Sequence, residues 1–535
     1  MALARTHSVA LVGVHGHLVE VEADIANGLV GMVLVGLPDT ALREARDRIR
    51  SAIVNSREQW PQRRITVGLS PASLPKRGSG FDVAIAIAIL AAAGAVKDAC
   101  LAGVMFLGEL GLDGQMRPVH GVLPAAVAAA AAGFRDVVVA RANAQEAALV
   151  PGVRVVSAPA LAALLAWMRG EPAADGPAVE VLTGGTIMSL TGAAPAVPGE
   201  AGHARPGEPA ASRAPSLDLS DVLGQPVARR AAEICAAGGH HLSLLGPPGA
   251  GKTMLAERLP TILPRLDAQA ALEVTSIHSV AGILPEASPL MTAPPFCGPH
   301  HTATKAAMVG GGNGIIRPGA ASLAHRGVLF LDEAPEFGRE VLDALRQPLE
   351  AGEVVIARSG TTARFPARFT LVLAANPCPC AKAAASPRAA CSCSPATKRR
   401  YFGRLSGPLL DRVDVKVELL PVGRAELLND RRFTETSMAV AARVAEARER
   451  AAKRLAGTAW RVNAEVPGSE LRRSYAPRRA ALAPLERALE LGEISARGVD
   501  KVVRVAWTLA DLVGQDRPTI DECGYALGLW LGVVT

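Results

Sequence analysis

The sequence predicts an α/β chain with a parallel-sheet core and a helical end, and three observations predict it. An apolar run, Leu242 to Leu245, leads into a glycine-rich turn and then a helical pattern at Met254–Leu259. A second apolar run, Gly327 to Leu331, ends in the paired carboxylates Asp332 and Glu333. Beyond residue 430 the pattern is helical throughout. The first stretch has the order strand, G-x-x-x-x-G-K-S/T, helix, which is a phosphate-binding loop in its required context. Its residues are Gly246, Pro247, Pro248, Gly249, Ala250, Gly251, Lys252 and Thr253. Glycines let successive backbone N–H groups turn around phosphate oxygens, and the helix points its positive end there. Lys252 is expected to reach the β and γ phosphates of ATP, and Thr253 to hold Mg²⁺ through its hydroxyl.

Size and composition bound the rest. A chain of 535 residues has room for about three or four domains. The longest apolar stretches, Val83–Val96 and Pro124–Gly133, are too short and alanine-rich to cross a membrane, so no membrane partner is expected. The N-terminus lacks a long apolar signal core, and four of the eight cysteines crowd into Cys378–Cys393. Both point to a cytoplasmic, reducing setting. Net charge is +7 and the pI about 9.1, which permits a polyanionic partner without requiring one. Aromatic residues make up only 3%, which argues against a single-strand binder that stacks bases. Any nucleic acid would be held by its backbone, through Arg and Lys.

Residues 1–170 read as an α/β domain. Strand character falls at Val9–Val14, Gly28–Val35, Arg64–Leu69, Val104–Leu107 and Asp136–Ala140. Helical character falls at Asp39–Ser56, from Phe81 onward and at Ala125–Ala132. Lys76-Arg-Gly-Ser79-Gly80 and Asp113-Gly114 read as turns. Residues 171–216 are rich in Pro, Ala, Gly and Ser with little apolar periodicity, and are expected to form a flexible linker.

Residues 217–425 hold the phosphate-binding loop. Asp332 is the expected Mg²⁺ partner, and Glu333 the group that polarises attacking water. Phe369–Ala375 is a further buried strand ending in Asn376. That side chain could orient the water, or simply form the turn before Pro377. Between the two strands, Glu353–Arg358 and Thr361–Phe365 around Ser359-Gly360 read as a β-hairpin bearing Arg358, Arg364 and Arg368. It is either a solvated hairpin or a DNA-contacting loop. Cys378, Cys380, Cys391 and Cys393 form two C-x-C pairs ten residues apart. Four thiolates could hold a structural Zn²⁺, although C-x-C is tighter than the common zinc spacing, so free thiols remain an alternative. Lys398, Arg399, Arg400 and Arg404 make a basic cluster beside them. In residues 426–535, helices are expected at Thr434–Leu455, Pro477–Gly492, Val499–Leu512 and Thr519–Leu531.

Taken together, these motifs resemble the ComM (YifB) family of magnesium-chelatase-like AAA+ ATPases, over nearly the whole chain. Gly36-Leu-Pro-Asp39, Ser70-Pro-Ala and Leu74–Ser79 are similar to that family's Lon-protease-like domain. Asp221–Gln225, Gly246–Thr253, Pro299–Thr302, Val309–Gly312, Ser322–Glu333, Asn376–Cys380 and Arg404–Arg412 are similar to its AAA+ module. Ile494-Ser-Ala-Arg497-Gly resembles its lid. The resemblance implies that Arg412 is an arginine finger offered to a neighbouring subunit, Arg497 the sensor-2 arginine and Asn376 sensor 1. It implies a homo-oligomer, a hexameric ring, that hydrolyses ATP with Mg²⁺ and acts on DNA. The activity implied is that of a branch-migration helicase in recombination during natural transformation. In the Lon-like domain Ser79 lies near the serine turn, but Leu123 occupies the place of the dyad lysine. Without a base, a serine hydroxyl is a poor nucleophile, so proteolysis is not expected. The alternative is a magnesium-chelatase-type subunit that remodels a protein partner. The AAA+ core fits both, and the Lon-like domain favours the DNA motor.

Overall fold

Alternating apolar and charged residues build the first sheet. The structure, a computed structural model, describes residues 2–534 except 37–39, 77, 173–176, 186–216, 286–288, 313–315, 359–360, 381–390, 424–429 and 431–433. Strands β1 (Ala2–Val12) and β2 (His15–Ala26) form a long antiparallel hairpin, with Ala2 opposite Ile25 and Val12 opposite His15. Val19, Val21, Ala23 and Ile25 face the core, while Glu20, Glu22 and Asp24 face outward. Only the end of β1 was expected from the sequence, and β2 was not. Gly13 makes the turn at φ +66°.

The sheet continues through β3 (Gly31–Val35), β4 (Arg64–Ser70) and β5 (Val104–Phe106). A two-residue ribbon, β6 (Glu109–Leu110) with β7 (Met116–Arg117), stands apart. Then come β8 (Asp136–Ala140), β9 (Arg154–Ala158) and β10 (Glu180–Thr183). The order across the sheet is β10-β9-β8-β5-β1-β2-β4-β3. Strand β10 pairs antiparallel with β9, so the sheet reaches past residue 170 into the stretch expected to be linker. Its Val-Leu pair supplies the apolar residues that the surrounding Pro and Ala hid. The rest of that stretch, 186–216, lies outside the described residues, as do Arg77, Leu37–Asp39 and the Ser359-Gly360 turn.

Helices cover both faces of this sheet, and Thr40–Asn55 and Leu161–Arg169 add Ile49, Ile53, Leu161 and Leu164 to its core. Asp82–Ala92 is buried along its whole length, its Asp82 held by Arg48 at 3.0 Å. Val122–Ala131 packs on the other face and against the helix Ala268–Ala281 of the next domain. Ala271 and Leu290 thereby join the apolar cluster of the first domain. Glu146 accepts from the Leu123 amide at 2.8 Å and from the Ser279 hydroxyl across the same boundary.

The second sheet is all parallel, with the order β12-β13-β16-β11-β17. Its strands are β11 (Leu242–Leu245), β12 (Phe296–Cys297), β13 (Val328–Leu331), β16 (Thr370–Ala375) and β17 (Val415–Glu418). Their near-continuous apolar character fits a sheet buried on both faces. Strands β14 (Glu353–Arg358) and β15 (Thr361–Pro366) form the expected hairpin outside that sheet. Its inner face is not solvated. Phe365 and Ala363 are fully buried with Val280, against Leu11, Val12 and Val14 at the turn between β1 and β2. At Gly13 any side chain would collide with the Arg364 carbonyl.

The C-terminal helices among the described residues are Ser437–Arg454, the short Gly468–Arg473, Ala483–Glu490, Ala496–Val513 and Ile520–Leu531. Arg479–Leu482 is a separate 3₁₀ turn, so the expected helix Pro477–Gly492 is broken where Pro484 opens a new first turn. A buried polar group joins this lid to the core. Lys501 reaches Asp414 at 2.6 Å, and His240 reaches Thr508 at 2.8 Å. Burial alone would raise the Asp414 carboxyl, but Lys501, His240 and His241 hold it well below the usual range.

A second ionic tie sits just before β13. Glu273 accepts from His325 and Arg326, each at 3.2 Å, and these partners lower its pKa to about 2. A depressed carboxylate contributes stability above its unfolded value, about 4.3, that is lost as pH falls through the folded one. Glu273→Gln should therefore lower the urea midpoint at pH 7 and flatten its fall between about pH 4.3 and 2. Parallel acid limbs in the two proteins would refute this role.

Candidate nucleotide site

The phosphate-binding loop leaves the end of β11, where the sheet order reverses between β16 on one side and β17 on the other. Open parallel sheets bind ligands at such a switch point, beyond the carboxyl ends of their strands. Gly249 and Gly251 take φ +78° and +91°, which side chains rarely adopt, so the loop can turn its amides inward. The helix Lys252–Ile262 starts at once. Gly246 donates to the Ala375 carbonyl at 3.1 Å, pinning the loop to the end of β16.

The expected site residues of the core meet here. The Lys252 ammonium donates to the Gly246 and Pro247 carbonyls at 2.7 and 3.0 Å and to Asn376 Oδ1 at 3.0 Å. Burial lowers its pKa, against the pull of Asp332 and Glu333. The Thr253 hydroxyl donates to Asp332 Oδ2 at 2.8 Å. A hydroxyl and a carboxylate at this separation are oxygen donors of the kind Mg²⁺ takes alongside phosphate and water. Glu333 follows at φ +51°, a conformation uncommon outside glycine, and its amide donates to Asp332 Oδ1 at 2.9 Å. That turn sends the two carboxylates in different directions: Asp332 toward Thr253, and Glu333 toward His301, at 3.5 Å. His301 was recognised only as part of a family string. Nothing in its spacing marks it, because it arrives from the loop after β12.

Arg412 and Arg497 lie elsewhere. Val415 pairs with Leu242 in parallel register, so Arg412 precedes β17 at the amino edge of the sheet. The phosphate loop leaves from the carboxyl edge. Four strand residues at about 3.3 Å each separate the edges by about 13 Å. Lys501, one turn beyond Arg497 on its helix, donates to the Arg412 carbonyl at 2.8 Å, so Arg497 shares the Arg412 edge. Arg497 is exposed and 3.7 Å from Asp411. Arg412 is ion-paired with Glu350, and its buried Nε has no hydrogen-bond partner. Burial lowers its pKa, with Arg497 and Arg346 acting in the same sense. Arg346, 2.7 Å from Asp343, is a third arginine at this edge, also with an unpartnered buried Nε. Neither Arg346 nor Glu350 was expected from the sequence. They sit on the short helix Arg346–Ala351 and carry no motif.

The other candidates divide. All eight cysteines are described and none forms a disulfide. The sulfurs of Cys378, Cys380, Cys391 and Cys393 gather within 4.8 Å of one another, a donor set compatible with a zinc ion. In the hairpin, Arg364 is paired with Glu353 at 2.6 Å and Arg368 covers Gly352, leaving Arg358 exposed near the tip. In the first domain Ser79 and Glu109 border a cavity of about 270 Å³, and the Ser79 hydroxyl donates to Glu109. Leu123 is fully buried. Lys76 is buried too, but its ammonium donates to the Pro71 carbonyl. Ser79 is therefore expected not to react with a fluorophosphonate probe, and Ser79→Ala to leave casein and other unfolded substrates as intact as the parent does. Covalent labelling at Ser79 would overturn this.

Comparison with known proteins agrees with the geometry. Residues 218–427 match the family described as magnesium chelatase, subunit ChlI. Residues 21–143 match subunit ChlI of Mg-chelatase, and 434–529 its C-terminal part. An uncharacterised protein of Mycobacterium tuberculosis is 50% identical over 529 residues, 98% of both chains. Competence protein ComM of Haemophilus influenzae is 40% identical over 531 residues, 99% of this chain and 97% of its own. The uncharacterised protein YifB of Escherichia coli is 40% identical over 517 residues, 96% and 94% of the two chains. Full-length similarity at this level, on a parallel sheet carrying Lys252, Thr253, Asp332 and Asn376 at one edge, places the chain in the ComM/YifB family of magnesium-chelatase-like AAA+ ATPases.

Proposed function

We propose that this protein forms a ring, a hexamer, in which ATP bound at one subunit's loop is cleaved with help from the next, driving movement along DNA. The observation that carries the reading is the division of charge. Lys252, Thr253, Asp332 and Glu333 lie at one edge of the sheet, and Arg346, Arg412 and Arg497 at the other. A subunit's own arginines are too far from its own phosphates, whereas a neighbour in a ring would bring one edge to the other.

In this reading Lys252 leaves the loop carbonyls for the β and γ phosphates, while Asn376 holds its other side. Thr253 and Asp332 would hold Mg²⁺, which would neutralise charge on the phosphates. Glu333 polarises the attacking water and His301 holds its carboxylate until then. Arg412, exchanging Glu350 for the γ phosphate, places positive charge where negative charge builds up in the transition state. Arg497, on the same edge, would act on that same neighbouring nucleotide.

The DNA part rests on the competence name of the Haemophilus relative, on the net positive charge and on exposed Arg358. By that route the activity is branch migration in recombination, in a cytoplasmic protein. The reading includes three domains, 1–170, 217–425 and 426–535, with a linker at 171–216, and a Lon-like first domain that serves structure or DNA contact and not proteolysis. The second reading, ATP-driven remodelling of a protein partner, is favoured by the chelatase family match. ATP turnover with and without single-stranded or forked DNA separates them. Strong stimulation supports the motor. Indifference to every DNA form, with stimulation by a protein partner, supports remodelling.

Glu333→Gln should bind ATP and not turn it over, and Arg412→Ala should lose about 10³-fold in kcat with ATP binding kept. Mixing Arg412→Ala with Lys252→Ala subunits should restore part of the activity, because some interfaces then pair an intact loop with an intact arginine. Mixtures as inactive as their components would argue against completion by a neighbour.

A further inference from the structure

The cysteine cluster is joined to the nucleotide site by two short arms. One arm is the end of β16: Asn376, whose side chain accepts from Lys252, is followed by Pro377 and then by Cys378, which is buried. The other arm runs from Cys393 through Ser394, which caps the helix Pro395–Phe402 by accepting from the Thr397 amide at 3.2 Å. That helix carries Tyr401, whose buried hydroxyl lies within reach of the Asn376 backbone N–H. Just beyond it, Arg404 donates to the Pro335 carbonyl at 3.2 Å and to Glu336 at 2.6 Å, on the turn that follows Asp332 and Glu333. The second arm thus touches both halves of the catalytic edge, and the cysteines are where it meets the first.

The sulfurs are close enough for one ion. Sγ separations are 3.0 Å for Cys378–Cys380, 3.3 Å for Cys378–Cys391 and 3.6 Å for Cys380–Cys391. A tetrahedral zinc with Zn–S bonds of about 2.3 Å sets its sulfurs about 3.8 Å apart, so sub-ångström shifts suffice. Charge points the same way. Zinc with four thiolates carries a net −2, and Lys398, Arg399 and Arg400 stand on the helix that begins two residues after Cys393. A basic cluster so placed offsets that charge.

We propose that Cys378, Cys380, Cys391 and Cys393 bind one Zn²⁺, and that the ion fixes Asn376 against Lys252 by clamping the two arms together. Four S–H bonds give up their protons as four Zn–S bonds form, with no change of oxidation state. The cysteines are positioning residues: they act through Asn376 and not on the nucleotide themselves. The metal half of the inference stands on the sulfurs alone, and the positioning half rests on the nucleotide-site reading above.

Elemental analysis of the full-length protein, purified under reducing conditions, should give one zinc per chain, and none in the Cys391→Ser/Cys393→Ser variant. Chelator-stripped protein should bind a fluorescent ATP analogue as before, but lose about 10- to 100-fold in kcat with KM little changed. Reloading with zinc should restore it, and Cys391→Asp, which keeps an ionised ligand, should retain both metal and turnover better than Cys391→Ser. Stripping should also speed backbone hydrogen exchange in peptides covering 370–380, a readout independent of hydrolysis. Reduced protein that takes up no zinc, or cysteines joined in disulfides, would overturn the metal site. Zinc whose removal leaves both turnover and exchange unchanged would overturn the positioning role. A protein that holds zinc and shows the exchange change, yet never hydrolyses ATP, would keep this inference and remove the ATPase reading.

Discussion

Parallel pairing of β11 with β16 and β17 is the constraint on which the candidate site depends. Because the three strands run the same way, everything that follows them gathers at one edge and everything that precedes β17 at the other. Lys252 and Asn376 meet because they leave neighbouring strands at the same level. Arg412 is excluded for the same reason, since its register places it before Val415. The proposed function therefore draws on both ends of one sheet, and in that reading a second copy of the chain brings them together.

What holds the amino edge in shape is polar. Asp414 accepts from Lys501 of the lid and from the His241 amide of the core, and His240 bridges to Thr508. Lys501, Asp414, His240 and Thr508 are buried and joined by these bonds, so the network ties the lid helix to the core. Removing one member would leave a buried charge alone, which costs more than the pair contributes. Arg412 and Arg497 are carried by the two pieces of chain that this network joins. Their common placement is a product of the same contacts that close the core.

Much of this was legible in the sequence because the signals were local. Gly246–Thr253 needs only a strand before and a helix after, and Asp332 and Glu333 need only an apolar run. Three of the five strands of the second sheet, β11, β13 and β16, are apolar runs and were found; the two-residue β12 and β17, where Lys416 and Glu418 interrupt the apolar pattern, were not. Less legible was β2, although Val19, Val21, Ala23 and Ile25 alternate with acidic residues. Its two histidines and Gly16 mask the start of the pattern. Strand β10 was hidden by flanking Pro and Ala, and its pairing with β9 is settled only by tertiary contact. Arg346 and Glu350 had no signal, because a short helix with mixed charge looks like any solvated surface. The grouping of three arginines comes from topology, which no window of sequence contains.

The hairpin of β14 and β15 was read as either a solvated hairpin or a DNA-contacting loop, and its apolar side lies against the turn at Gly13. A lever whose inner surface is glued to a second body is not free to swing by itself. If the proposed motor works by moving this hairpin, the stroke must either drag the amino-terminal domain along as cargo or first peel Phe365 away from Leu11 and Val12. In the first case the domain becomes part of the moving machinery, and in the second it acts as a brake whose release sets when the stroke begins.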